Sequence, residues 1–257
     1  SITVVENHKN LIFFFYDKKD LLMVKINYRR HMILDKKKNI MTKSLNAVGA
    51  STYQSIKRDI IFGDLAPASK LKLETLRKNY NASMSTLRET LNRLASEGFV
   101  DALDQRGFFV TPVSKEDLME VANLRVLLEC HALKLSIDNG DTDWEGNLVS
   151  AHHKLSSMEQ KMLSGDDSQK EDWKRYDWEF HLALIEACGS RNLISLHSVL
   201  YDKYLRYQML MLTHRGQEAA DEHKKMFEAA LDRNVEAATK ILREHIEKGL
   251  EHTLAAF

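Results

Sequence analysis

Proline is nearly missing from this sequence, with 2 residues in 257, and glycine is scarce at 10. Few positions therefore interrupt a helix, and a mainly helical chain is expected. Cysteine is equally sparse: Cys130 and Cys188 stand alone in helical patterns, which excludes a disulfide-rich secreted module and predicts two buried, reduced thiols. No apolar run approaches the roughly 20 residues that span a bilayer. The longest near the start, Leu11 to Tyr16, is closed by Asp17-Lys18-Lys19-Asp20 and has no small-residue cleavage site, so neither a membrane helix nor a complete signal peptide is expected. A cytoplasmic protein is the default expectation. Net charge is also lacking, with 37 basic and 37 acidic residues. A neutral total leaves nucleic-acid binding open, because phosphates respond to a local basic surface.

What is present is the mixture of amphipathic helices, 44% hydrophobic and 29% charged, over a length sufficient for one large or two ordinary domains. Residues 1–48 differ in texture. Apolar fragments alternate there with basic clusters such as Tyr28-Arg29-Arg30-His31 and Asp35-Lys36-Lys37-Lys38, without a sustained period. A poorly ordered or non-native extension is one expectation, with Met41 as an alternative initiator. A basic arm that follows DNA backbone is the other.

A compact unit is expected over 49–112. Tyr53, Ile56, Ile60 and Ile61 form an apolar stripe that Ser51 can cap and Gly63 can end. After a turn at Asp64 to Pro67, a second helix is predicted over about Leu73 to Tyr80, and Asn81-Ala82 bends into a third. In that third helix Leu87, Leu91 and Leu94 recur on one face, while Ser85, Arg88, Glu89 and Asn92 share the opposite face. Gly98 ends it. Phe99-Val100 then begins an extended segment that turns near Asp104-Gln105 and returns through Gly107-Phe108-Phe109-Val110. Three helices and a hairpin make a winged helix-turn-helix.

From 113 to 257 the pattern is almost wholly helical. Ser114 caps a helix carrying Leu118, Val121, Leu124, Leu128 and Leu133, and later helices are predicted over about 142–164, 168–188, 191–213, 216–232 and 234–254. Short connections imply an antiparallel all-α bundle of about six helices. Within it, Asp177 and His181 lie one helical turn apart on one face, a spacing that can chelate one ion and that also suits a surface hydrogen-bonded pair. His223 and His245 follow on later helices among inward-turning apolar residues. Three imidazoles and a carboxylate suit a borderline divalent metal, zinc first, with nickel or manganese as others. His152, His153, His197, His214 and His252 lack such a carboxylate partner and are read as surface or core residues. Arg125 lies mid-helix beside apolar positions, where it can meet an anionic ligand or pair with Glu129 one turn on. Arg206 is a second candidate for an effector.

Residues 51–112 resemble the DNA-binding domain of the GntR regulators, through Arg88-Glu89-Thr90-Leu91 and the Arg106-Gly107 wing. The helical remainder resembles the FCD ligand-binding domain of the FadR subgroup, whose metal-binding members have an Asp-x-x-x-His pair and two later histidines, matched in position by Asp177, His181, His223 and His245. Asn192 after Gly189-Ser190-Arg191 fits the same pattern, and the CsiR/GlaR type, regulators of dicarboxylate and amino-acid catabolism, is similar. The resemblance implies a metabolite-responsive repressor that binds a palindromic operator as a homodimer, with a small carboxylate effector held by the metal and Arg125. It also implies DNA contacts from Ser85, Thr86, Arg88, Arg106 and Gly107. Ser85 and Thr86 can equally serve as N-cap groups, and the Arg106-Gly107 turn can be a plain hairpin tip. Met84 and Thr86 stand where the family commonly has arginine and proline, which shifts recognition toward Arg88 and the wing.

A metal-dependent enzyme acting on a small organic acid is the competing class, since such a site can activate water. No nucleophile, general base or lid is evident, and a DNA-binding domain would then have no purpose. A non-enzymatic regulator is the expectation carried forward.

Overall fold

The computed structural model describes residues 2–7, 10–16 and 21–27, and then 49–257 apart from 166–169 and 212–214. Strands β1 (Ile2–Asn7), β2 (Asn10–Tyr16) and β3 (Leu21–Asn27) form an antiparallel sheet in that order, pairing Ile2 with Phe15 and Leu11 with Ile26. No strand was expected there, although Leu11–Tyr16 has the aromatic and branched composition that suits one. The basic clusters at 28–31 and 35–38 and Met41, where an arm or alternative start was expected, lie outside the described residues.

The first helix, α1, covers residues 49–61. It therefore begins before Ser51, which lies inside the helix and not at its cap. Strand β4 (Lys70–Leu71), in a stretch for which no element was expected, precedes α2 (Leu73–Tyr80). Asn81 then takes the left-handed conformation at φ +47°, which a short amide side chain tolerates, and redirects the chain into α3 (Met84–Ser96). At its start the Ser83 hydroxyl accepts the Thr86 amide at 3.1 Å, a cap of about 1 kcal/mol. Leu87, Leu91 and Leu94 are fully buried, each contributing about 1.5–3 kcal/mol.

Gly98 ends α3 at φ +80°, a conformation costly for any side chain with a Cβ. Strands β5 (Val100–Leu103) and β6 (Gly107–Val110) pair antiparallel, and β4 adds to the outer edge of β6, giving the order β4-β6-β5. Helices α1 to α3 and this small sheet enclose one core that includes Ile56, Ile60, Leu76, Phe99 and Val110.

The helical domain begins at α4 (Lys115–Asn139), capped by Ser114 on the Asp117 amide at 3.1 Å. It continues through α5 (Thr142–Leu163), α6 (Lys170–Ile185), a 3-10 turn at Glu186–Cys188, α7 (Arg191–Met211), α8 (Gln217–Leu231) and α9 (Val235–Ala255). Asp141 and Asn234 cap α5 and α9. Helices α4, α5, α6, α8 and α9 surround a core of Leu118, Leu133, Leu148, Phe180, Met226 and Leu242. Cys188 is buried, Cys130 is half-buried, and both are free thiols. The mainly α architecture, a winged helix-turn-helix followed by an all-α bundle, is as the sequence predicts.

Helix α7 belongs to both domains. Its Tyr204 and Tyr207 lie in the bundle core, whereas Tyr201 and Leu205 pack into the core of the winged helix. Lys57 of α1 meets Asp202 at 2.6 Å, and the Arg206 guanidinium donates to the carbonyl of Thr111, in the connection between the domains.

Candidate functional site

Helices α6, α8 and α9 bring three histidines together. One ring nitrogen from each of His181, His223 and His245 lies within 4.8 Å of the others. A tetrahedral ion about 2.1 Å from each nitrogen sets them about 3.4 Å apart, so nitrogens up to 4.8 Å apart must close by as much as about 1.4 Å to share one.

Each imidazole is held from behind by a carboxylate on another element. His181 Nδ1 lies 3.0 Å from Glu129 Oε2, His223 Nδ1 lies 2.6 Å from Glu159 Oε1, and His245 Nδ1 lies 2.8 Å from Glu222 Oε2. A carboxylate can only accept, so Nδ1 of His181 and of His223 carries the proton and Nε2 keeps its lone pair, whereas His245 Nδ1 stands between the acceptor Glu222 and the donor Arg215 Nη2 at 3.0 Å. This is the arrangement by which outer carboxylates orient metal-ligating histidines. The Nε2 of His223 is buried without a hydrogen bond. It lies 3.4 Å from Asp177 Oδ1 without the alignment a hydrogen bond needs. The other Asp177 oxygen accepts from Tyr201 at 2.7 Å and has the Lys174 ammonium at 3.6 Å.

Electrostatics favour the state a cation requires. Burial lowers the pKa of His181, and the Glu129 contact only partly offsets this. Burial likewise pushes His245 down to about 3, against the opposing pull of Glu222. Both rings are therefore neutral at pH 7. Burial opposes ionisation of Asp177, but the Lys174 charge first, with the neighbouring His223 and His181 rings and the Tyr201 hydroxyl, outweighs it and holds the carboxyl well below its ordinary range. Glu129 behaves in the same way: burial is overcome by the Arg125 charge and by His197 and His181. Neutral imidazoles beside an ionised, fully buried carboxylate fit a divalent cation.

The pocket around these ligands is also walled by Arg125, Lys174, Tyr204, Arg215 and His252. Its free space is about 30 Å³, room for an ion and about two waters. Arg125 donates through Nε to Glu129 Oε1 at 2.6 Å, so the internal ion pair exists, yet its Nη2 is buried with no hydrogen-bond partner. Arg215 is similar: Nη2 reaches Glu222 at 2.7 Å and Nη1 is unsatisfied. Two spare guanidinium donors in one pocket suit an anion.

The four residues singled out as ligands thus line one pocket with Arg125, and Arg206 does not join them. Its Nη2 donates to the Thr111 carbonyl in the domain connection, and although its Nε is buried without a hydrogen bond it does not line this pocket, which removes it from the effector candidates there. Glu129 was expected only as the partner of Arg125, and Glu159, Glu222, Lys174 and Arg215 were not anticipated. His197 is fully buried with Nε2 3.1 Å from Glu129, and His252 lines the pocket; His214 is outside the described residues.

The other candidate surface is on the winged helix. Ser85, Arg88, Glu89 and Asn92 are exposed along α3, as is Arg106 at the hairpin tip. The cap is Ser83; the Ser85 and Thr86 hydroxyls approach its oxygen at 2.8 and 2.9 Å. The hairpin tip is formed by Gln105 at φ +58° and Gly107 at φ +89°, and nothing lies within 4 Å of a Cβ built on Gly107. Its backbone is accordingly open to close approach.

The profile of bacterial regulatory proteins of the gntR family matches residues 49–110, and that of the FCD domain matches residues 120–248. The uncharacterised HTH-type transcriptional regulator BphR of Paraburkholderia xenovorans (strain LB400) is 37% identical over 202 residues, 78% of this chain and 82% of that protein. The HTH-type transcriptional repressor GlaR of Escherichia coli (strain K12) is 29% identical over 200 residues, 76% of this chain and 90% of that protein. In fold, E. coli McbR/YncC superposes with a TM-score of 0.68 at 20% identity, over 81% of this chain and 97% of that one. Among the described residues no helix is long and apolar enough to cross a membrane. The chain belongs to the GntR family of bacterial regulatory proteins, carries an FCD domain behind its helix-turn-helix, and is a DNA-binding transcriptional regulator.

Proposed function

We propose that the chain is a repressor that binds a two-fold symmetric operator as a homodimer and is released by a small carboxylate effector. A divalent cation, zinc first and nickel or manganese as alternatives, would be held by Asp177, His181, His223 and His245. It would supply a positive charge on which an effector carboxylate can rest, with Arg125 Nη2 as the second contact. The observation that carries this reading is the convergence of three histidines, each pinned at Nδ1 by a carboxylate, beside the unsatisfied donor of Arg125. Ser85, Thr86, Arg88, Arg106 and Gly107 are the proposed DNA contacts, with α3 in the major groove and the wing beside it. The repressor sense is supported by the similar GlaR, which is described as a repressor.

A second copy has a suitable face to meet. Leu124 and Leu127 of α4 are 45% and 66% exposed, and Leu196 of α7 is 60% exposed. On the same stripe of α4, Glu120 and Lys134 stand seven residues to either side of Leu127. Two antiparallel copies of α4 crossing at Leu127 would therefore set Glu120 against Lys134 twice, the self-complementarity a two-fold contact demands.

The test is a thermal-shift screen of small mono- and dicarboxylates on zinc-loaded protein, followed by operator titrations with each hit. A ligand that binds only the native state raises its melting temperature, and the effector should also weaken operator binding. If His223→Ala retains stoichiometric zinc, the ligand assignment is wrong. If zinc binds but no acid shifts the melting temperature, the metal is structural.

A further inference from the structure

We propose that Tyr201 is the positioning residue through which the state of the metal pocket reaches the DNA-recognition helix; this rests on the pocket reading given above. Tyr201 is 2% exposed and stands between the two domains. Its hydroxyl donates to Asp177 Oδ2 at 2.7 Å, and its ring centroid is 5.6 Å from that of His181 and 4.5 Å from the Arg125 guanidinium carbon. Its ring nevertheless packs in the winged-helix core, in one cluster with Phe99 and the three α3 leucines.

The neighbouring residue continues the route. Asp202 lies 2.6 Å from Lys57 of α1, and Lys57 lies 3.1 Å from Glu97, which caps the C-terminus of α3. Glu97 is further held by Tyr53 at 2.6 Å and by Arg93 of α3 at 3.2 Å. A ligand of the pocket is thus connected to the end of the recognition helix by Tyr201, one peptide of α7, and two ion pairs. Trp178, beside Asp177, also touches the winged-helix core, but its indole N–H makes no hydrogen bond and offers no polar link.

The pocket gives this route something to transmit. Its free space is about 30 Å³ and α7 is one wall, through Tyr201, Tyr204 and Gln208, so an organic acid seated there would bear on that helix. A helix carrying packed side chains on both faces moves as a rigid piece, by small sliding against its neighbours. Asp177 uses one oxygen for Tyr201 and presents the other to His223. Asp177 would hold a cation through the oxygen that faces His223, and any shift of its carboxylate would be felt by the Tyr201 hydroxyl on the other.

The test compares operator affinity, by fluorescence anisotropy, for full-length wild type and Tyr201→Phe, each metal-stripped and zinc-loaded. Zinc affinity is measured separately by calorimetry. Zinc should change wild-type operator affinity by about 5- to 150-fold, the usual span of coupling between sites. In Tyr201→Phe zinc affinity should fall by about 10- to 100-fold, while the operator response, read at saturating zinc, shrinks to less than about twofold. A full wild-type response in Tyr201→Phe overturns the proposal, as does zinc that binds the wild type without altering operator affinity. Should Tyr201→Phe fail to fold, Asp202→Asn breaks the same route at the domain contact, and a full response there overturns the proposal equally. If wild type binds no zinc, the metal reading fails by itself. A metal-free cycle of Asp177→Asn and Tyr201→Phe then decides: non-additive effects on operator affinity uphold the link, and additive effects overturn it.

Discussion

His223 Nδ1 lies 2.6 Å from Glu159 Oε1, a pair 64 residues apart that joins α8 to α5. The carboxylate fixes the imidazole so that Nε2 faces the pocket. Glu159→Gln exchanges a charged acceptor for a neutral amide and should weaken zinc binding by about 10- to 100-fold. Competition against a chelating dye measures it, and an affinity within twofold of wild type would show that Glu159 only packs.

Arg88 is exposed on α3, so its loss should not disturb folding. Arg88→Ala is expected to cost about 1–3 kcal/mol of operator affinity if it reads a guanine edge. If it clamps a phosphate instead, the loss should be uniform across sequences, with the salt slope falling by about 1. Unchanged operator affinity with unchanged zinc content would remove Arg88 from the interface.

Arg125 and Glu129 are both buried, and the guanidinium is the main compensation for that carboxylate's charge. Arg125→Ala should lower stability by about 3–5 kcal/mol by leaving a buried charge unpaired, read as a lower urea midpoint. Lysine cannot reproduce the fork, so Arg125→Lys should rescue only part. An unshifted midpoint would mean that His181 and His197 neutralise Glu129 unaided.

Acid should destabilise the metal-free protein. His245 is pushed down to about 3 by burial, below its unfolded value of about 6.5. Between those limits the unfolded chain takes up a proton that the native ring refuses, so stability falls as pH drops, on the order of 1 kcal/mol per pH unit. His181 shifts in the same direction. Melting temperatures from pH 7 to 5 should decline, and zinc should be released over the same range because ligating imidazoles must be neutral. A flat profile would show that these rings protonate without cost.

Leu127 is the most exposed large apolar residue of α4. Leu127→Glu places like charges at the centre of the proposed two-fold contact and should give monomers by light scattering, with operator affinity reduced through lost bivalency. A dimer of unchanged stability would place the contact elsewhere.

The readable parts of this chain are those governed by local spacing. The leucines of α3, the Ser114 cap, the Asp177–His181 face and the Arg125–Glu129 pair each lie within one or two helical turns, so periodicity alone proposes them. Glu129, Glu159 and Glu222 were not legible as histidine partners, because a glutamate in an amphipathic helix looks solvent-facing. Their contacts cross 52, 64 and 23 residues. Arg206 shows the converse error. Its apolar neighbours suggested a pocket, while the partner that claims it, the Thr111 carbonyl, lies 95 residues away and has no side-chain signature. Strand β4 escaped notice because two residues carry no period.

The two α7 side chains embedded in the winged-helix core set a rule for rebuilding the protein. Tyr201 and Leu205 fill space between Ile56, Phe99 and Val110, so the DNA-binding part severed near Pro112 would keep a cavity where they belong. Chimaeras that graft this winged helix onto another bundle must carry the Tyr201–Leu205 face of α7 with it, although that face lies some ninety residues beyond any seam drawn along the chain.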